Sequence, residues 1–530
     1  HNTRRSVASN QITTFLDNYA SKFNKCAKFS KKSSHVNYFY DYLHIAYQKF
    51  HKIPKIENMN QELPINEDLE VYLDNIGSGD LFRTKDEFKS KLVVILKLLS
   101  QKYKTVLDDI LNIFPFTEIE KDKILQFLKD LTSNKMTEND IIEWFNLNGK
   151  KLARSIYIYI LEGKFPEEIN NMLAISPEIY GEFTSLDIQK DIELNLSYGK
   201  KYEYECGQIK LNLKIHSSQQ QNGVKHNLLE RIFFLHYLHQ KNKINLTLWL
   251  SSKKKELNYQ RLDRYIGPKE INSGCTTFRG SDRSVSVWRK EELEKVLLHE
   301  LFHSLDLEDK MNTLEIENFI FSHFDIKRDL NKLTIFENYV EVMADILNVF
   351  FLVQETFNYT IKKSKKLKSS IPKSKKNLER KKIKLEKKKM FYDILWIEKC
   401  WVMFQAAKIL NYFRYKTFEE FYRKGGFPEE QKTNKYLQRS NVFSYIILRS
   451  MTFFRLNKFL GLCQKFNGEN PMEYQIPSSD VIPFWKDVLN NSGYIKTINS
   501  LLVLLREIET KKNTKPIIFK SMRMTCVEGK

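Results

Sequence analysis

With 530 residues, 42% of them hydrophobic and including 37 Phe and 26 Tyr, the chain has material for roughly two to four domains and is too apolar to be disordered throughout. Its net charge of +21 is uneven: residues 361–390 hold 15 Lys or Arg against Glu379 and Glu386, so the other 500 residues share only +8, which excludes a chain that is basic along its whole length. No apolar run approaches the roughly 18 residues needed to span a bilayer, and the six cysteines (Cys26, Cys206, Cys275, Cys400, Cys463 and Cys526) form no C-x-x-C pair and no disulfide framework.

That cysteine usage fits a reducing intracellular compartment, or packaging in a virion, better than disulfide-rich secretion. The opening His1-Asn2-Thr3-Arg4-Arg5 lacks a methionine and an apolar signal region, so the expectation is a mature or excised piece.

Residues 1–185 read as a helical domain, with apolar residues at three- and four-residue spacing over 36–50, 86–113, 118–131 and 138–162. The period changes near 190. Leu194, Leu196 and Tyr198 alternate with polar residues, and so do Ile209, Leu211, Leu213 and Ile215. With turn signals at Gly199-Lys200 and Cys206-Gly207, this predicts a hairpin or meander. A helix over 226–240, a strand over Ile244–Leu250 and a short strand over Val285–Trp288 follow. A helix over Lys290–Leu305 comes next, and a second strong helix over 334–358 starts with a capping-box pattern, Thr334 and Glu337. Residues 361–390 read as a basic linker and 391–530 as a C-terminal helical domain. The fold class is α+β, with a central core over 186–360 between helical flanks.

The helix over 290–305 carries His299-Glu300-Leu301-Phe302-His303. Residues four apart stand on one helix face, so the two imidazoles can share one zinc ion. Glu300 lies about 100° round the helix, placed to take a proton from water rather than to bind metal. A third ligand is required. Asp309 lies six residues past His303, but the pattern that uses that position needs Gly at 306, where this chain has Asp306. Glu337, Glu341 and Asp345 share one face of the second helix. Glu341, flanked by Val340, Val342 and Met343, is the first choice, because burial of an unpaired carboxylate is costly and a metal would remove that cost. Asp345 would then accept a hydrogen bond from a ligand imidazole. Glu337 as ligand with Glu341 as the outer acid is the other register, and Asp306 is a further outer acceptor.

His299-Glu-Leu-Phe-His-Ser-Leu-Asp306, followed by Glu341-Val-Met-Ala-Asp345, resembles the gluzincin metallopeptidases, closest in style to the anthrax-lethal-factor-like group with its HExxHxxD and E-F-F-A-E patterns. The resemblance covers about 299–345. It departs from the group at Phe302, commonly Gly there, and at Asp345, where the group has Glu. It implies zinc (Zn2+) held by His299, His303 and Glu341, with Glu300 as catalytic base. It also implies an edge strand that binds substrate backbone, for which Thr276–Arg279 and Val285–Trp288 are candidates. A downstream Tyr would stabilise the oxyanion, with Tyr445 the first choice and Tyr412 and Tyr415 behind it.

The expectation is a zinc-dependent endopeptidase acting on a protein or peptide substrate. Its rivals are an inactive zincin-like scaffold in a virion or large complex, and a basic nucleic-acid-associated protein whose HExxH is incidental. Residues 361–390 could meet an anionic partner, nucleic acid or a membrane surface, but lack aromatic side chains for stacking on bases until Phe391.

Overall fold

The computed structural model describes residues 7–53, 55–59, 63–64, 85–169, 184–221, 223–261, 264–279, 282–308, 313–331, 333–365, 373–511 and 517–528. Asp309 lies outside them.

Two hydrophobic cores are present. The smaller is built from helices Lys85–Gln101, Lys104–Leu111, Glu118–Thr132, Glu138–Trp144 and Lys150–Leu161, the last two joined by a π turn, Phe145–Gly149. The helical pattern of 86–162 is thus met, with breaks after Gln101 and Trp144. The larger core includes helices Val7–Asn18 and Ser34–Phe50, which pack with the C-terminal helices rather than with the small bundle.

At the centre of the large core is a mixed sheet. Its strands are β1 (Glu57–Asn58), β2 (Leu63–Pro64), β3 (Tyr198–Cys206), β4 (Ile209–Ser217), β5 (Lys243–Ser251), β6 (Gly274–Arg279) and β7 (Asp282–Arg289). Their order is β1-β3-β4-β5-β7-β6, with β2 also pairing β3. The β3–β4 hairpin turns at Gly207, whose φ of +62° suits glycine. β4, β5 and β7 run parallel, and β6 returns antiparallel to β7 as the outer strand. Ile209, Leu211, Leu213 and Ile215 are buried in alternation with more exposed Lys210, Asn212 and Lys214, the one-sided pattern the sequence predicts. Leu194 and Leu196 are not in a strand. Helix Leu186–Asn195 ends there, and Gly199-Lys200 lies inside β3. Val285–Trp288 belongs to β7, an interior strand, so of the two candidate strands β6 is the one at an edge of the sheet.

After β7 the chain enters the motif helix, Leu293–Ser304, whose Leu297, Leu298, Leu301 and Phe302 are fully buried. Next in the core is Phe336–Lys365, apolar almost all round over 340–353 and therefore a central helix. It begins at Phe336, not Thr334, and Glu337 forms no capping box. Residues 373–412 make one 40-residue helix. The described part of the basic segment is therefore helical rather than a loose linker: lysine is a good helix former, and Leu395, Trp401 and Phe404 anchor the following turns in the core.

All six cysteines are free, and among the described residues no helix is long and apolar enough to cross a membrane.

Candidate metal centre

His299 and His303 project from one face of the motif helix, and the first turn of Phe336–Lys365 brings Glu337 against them. The two Nε2 atoms are 3.1 Å apart, and Glu337 Oε2 lies 3.2 Å from His299 Nε2 and 3.3 Å from His303 Nε2. Ligands at about 2.0–2.1 Å from a tetrahedral zinc are separated by about 3.3–3.4 Å. The three atoms therefore form the base of a coordination tetrahedron with one corner free. Among the described residues this is the sole group of three His, Cys, Asp or Glu with metal-ligand spacing.

The far side of each imidazole faces a carboxylate. His299 Nδ1 is 2.8 Å from Glu341 Oε1, and His303 Nδ1 is 2.5 Å from Glu308 Oε1. The His303 contact is a hydrogen bond that favours a proton on Nδ1, and Glu341 sets negative charge behind the His299 ring, while both Nε2 atoms face the common centre. Glu341 thus lies outside the group whose atoms could share one ion; Glu337 stands there instead, which is the other register of the sequence reading. The second oxygen of Glu341, Oε2, is engaged by the buried Lys295 ammonium and by Arg449 Nη1 at 3.2 Å. The reason lies in helix geometry. Glu337 is level with the Nε2 atoms, whereas Glu341, one turn deeper, is level with Lys295, one turn before His299. Asp345 does not touch a histidine either. It pairs with Arg449 Nε at 2.8 Å. Asp306 adopts a left-handed φ of +57° that reverses the chain after the motif helix, and its carboxylate pairs with Arg283.

Five buried carboxylates (Glu300, Glu308, Glu337, Glu341 and Asp345) thus gather in and behind this site, and the two fixed cations there, Lys295 and Arg449, pair only with Glu341 and Asp345. The imbalance shows in the acid–base properties. Burial disfavours ionisation of Glu337, but His303 and His299 outweigh it and hold its carboxyl at about 2. Burial likewise opposes protonation of the histidines, yet Glu341 and Glu337 raise His299, and Glu337 with Glu308 raises His303 well above the usual imidazole range. Both directions mark a site that favours added positive charge, and a divalent cation would supply it, so the donor set fits zinc.

Glu300 points toward β6, where its Oε2 accepts a hydrogen bond from Thr276 Oγ1 at 3.0 Å. Thr276 Oγ1 also lies 2.9 Å from the Glu300 carbonyl, which ties the edge strand to the motif helix. Burial raises the Glu300 carboxyl, with His299 and His303 pulling the other way. Gly274 makes room for it: a Cβ there would come within 2.8 Å of Glu300 Cγ and Oε1.

The Tyr445 ring lies 5.9 Å from the His299 ring, in the π turn Phe443–Leu448. Burial, reinforced by Glu337, Glu300 and Glu341, keeps its phenol protonated far above neutral pH. Tyr412 and Tyr415 do other work. Tyr412 donates to the Asn258 carbonyl at 3.2 Å, and Tyr415 to Asp325 at 2.7 Å.

Glu308, Lys295, Arg449 and Gly274 were not singled out from sequence, and Thr276 entered only as the start of a candidate edge strand. Lys295 carried a signal, a lysine one turn before His299 amid Leu297, Leu298 and Leu301. Glu308 lies only five residues past His303. The distant Arg449 carried none. The chain matches no protein-family model, no curated protein and no solved structure.

Proposed function

We propose that the chain is a zinc-dependent endopeptidase. The observation that carries this reading is the buried triangle of His299 Nε2, His303 Nε2 and Glu337 Oε2, with edges of 3.1–3.3 Å and a carboxylate behind each imidazole. Zinc bound there would polarise a peptide carbonyl and lower the pKa of a water from about 15.7 to about 7. Glu300, beside the ligands but not among them, takes the proton of the attacking water and delivers it to the leaving amine. Thr276 fixes the direction of that carboxylate. Tyr445, protonated and next to His299, donates a hydrogen bond to the oxyanion. The outer edge of β6, Gly274–Arg279, receives an extended substrate segment by strand addition.

Glu300→Gln is the discriminating variant. It should retain one zinc per chain by elemental analysis and lose peptide hydrolysis by at least about 10²-fold. If the purified unmodified protein binds no zinc, the HExxH is incidental. If it binds zinc but cleaves nothing in a broad peptide library, the site is a scaffold and the peptidase reading fails.

A further inference from the structure

A second feature lies far from the metal centre. Gln354 stands 17 residues beyond Glu337 on the same helix, about 25 Å along its axis. There, the end of helix Ser34–Phe50, the helix Phe336–Lys365 and the basic helix Lys373–Tyr412 enclose a groove of about 530 Å3. Lys49, Lys52 and Lys387 line it, with His44 and His51, and among the described residues no carboxylate does.

Lys387 is the informative residue. It is 8% exposed, and its ammonium donates to the neutral Gln354 Oε1 at 2.7 Å. Among the described residues no carboxylate pairs with it. The nearby acids are already engaged. Asp41 pairs with Lys388 at 2.8 Å and Lys384 at 3.7 Å, while Glu230 takes the Tyr47 hydroxyl at 2.8 Å and His51 at 2.9 Å. His44, 7% exposed, leaves its Nδ1 without a hydrogen-bond partner. A buried ammonium that meets only an amide oxygen and, 5.9 Å away, the Phe357 ring is unfavourable unless something negative completes it. Burial lowers the Lys387 pKa, offset only in part by Glu230.

We propose that this groove binds a small linear polyphosphate, an anion carrying two or more phosphoryl groups. Three ammonium groups around one concave space call for several negative charges in a compact ligand, which one carboxylate does not provide. The volume is that of a small-molecule site, and the tyrosine in the lining, Tyr47, is buried with its hydroxyl held by Glu230, so it offers no open face for stacking on bases, which argues against single-stranded nucleic acid.

The test is a calorimetric titration of the full chain with sodium tripolyphosphate. Saturable binding at one site per chain is expected, weakened at least tenfold in Lys387→Met and severalfold in Lys49→Gln/Lys52→Gln, whose exposed side chains cannot endanger the fold. Lys381→Gln/Lys382→Gln, exposed on the same basic helix, should bind within twofold of the parent. Vesicles containing a bisphosphorylated inositol lipid form the parallel arm. Competition of tripolyphosphate with such vesicles, lost in Lys387→Met, assigns the same groove to a lipid headgroup as source. Absence of saturation overturns the proposal, as does equal weakening by the Lys381/Lys382 pair. So does binding that only duplex DNA or anionic vesicles show, independent of Lys49, Lys52 and Lys387.

Discussion

Glu337 and Glu341 are four residues apart on one helix, and the structure gives them opposite roles that two substitutions should separate. Glu337 Oε2 faces both Nε2 atoms, at 3.2 and 3.3 Å, and its neighbour Asn441 Nδ2 stands 3.5 Å from the other oxygen. No fixed cation pairs with it, so Glu337→Gln removes a ligand while leaving no buried lysine or arginine stranded. Four-ligand zinc sites bind with about 10–16 kcal/mol, so one ligand contributes roughly 3–4 kcal/mol. That is roughly 10²–10³-fold in Kd. Metal-free stability should fall less than in Glu341→Gln, because the histidines that pair with Glu337 can release their protons, whereas Lys295 and Arg449 stay charged.

Glu341→Gln should do the reverse. Glu341 is the counter-charge of Lys295 and shares Arg449 with Asp345, and both cations are almost wholly buried. Removing one partner of a buried ion pair costs about 3–5 kcal/mol in folding stability. His299 loses only an orienting contact, which weakens metal binding about 10–100-fold. Zinc competition against a chelating fluorophore, with urea denaturation of the metal-free proteins, gives both quantities. If Glu337→Gln keeps parental zinc affinity while Glu341→Gln abolishes it, Glu341 is the ligand and the geometric assignment fails.

Tyr445→Phe should keep zinc and lower kcat about 10²–10³-fold, as expected for loss of one oxyanion donor, with stability little altered. An unchanged kcat would remove Tyr445 from the mechanism. Gly274→Ala places a methyl group 2.8 Å from the Glu300 side chain, so steady-state assays should show reduced hydrolysis with zinc stoichiometry intact. Burial holds His236 neutral, lowering its pKa from 6.5 to about 4. The unfolded chain takes up that proton first, so stability is lost as pH falls from about 6.5 to about 4. Between pH 7 and pH 4 the parent should lose about 3 kcal/mol more than His236→Gln, read by urea denaturation.

What could be read in advance follows from the range of the interactions. The two histidines are set by helical period alone, and their placement on one face needs nothing beyond residues 299–303. Strand alternation in β4 and β5 is likewise local, because one face of the sheet is buried and the other is not. The acidic face of 337–345 was legible as a face. Its register was not, because the depth at which one helix meets another is fixed by side chains distant in sequence. Thr334 offered Glu337 a plausible capping role, and the apolar neighbours of Glu341 made it look the more deeply committed carboxylate. Its partners explain that burial: Lys295 lies 46 residues before it and Arg449 lies 108 after. Leu194 and Leu196 misled for a similar reason. Alternation at the end of a helix is indistinguishable from the start of a strand until β3 is seen to begin at Tyr198.

The surroundings of the histidines bear on whether the motif is accidental. A stray HExxH would have no reason to find a carboxylate behind each imidazole. Here one comes from the turn after the motif helix, Glu308, and the other from a helix 42 residues downstream of His299, Glu341. Nor would a stray motif have its supporting carboxylate held from the far end of the chain. Arg449 joins Glu341 and Asp345 to the backbone carbonyl of Met524. The segment around Met524 is fastened in turn by Glu398, which accepts from the backbone N–H groups of Cys526 and Val527 at 3.1 and 3.2 Å. At the start of the motif helix Glu292, at a left-handed φ of +59°, accepts from Thr525 N at 2.5 Å and pairs with Lys255 at 2.5 Å. Strain at a non-glycine residue of this kind persists only where the surroundings over-determine it. The C-terminal segment therefore braces the motif helix at Glu292 and the ligand-orienting carboxylate through Arg449. Loosening it should be felt as weaker metal binding well before the sheet itself gives way.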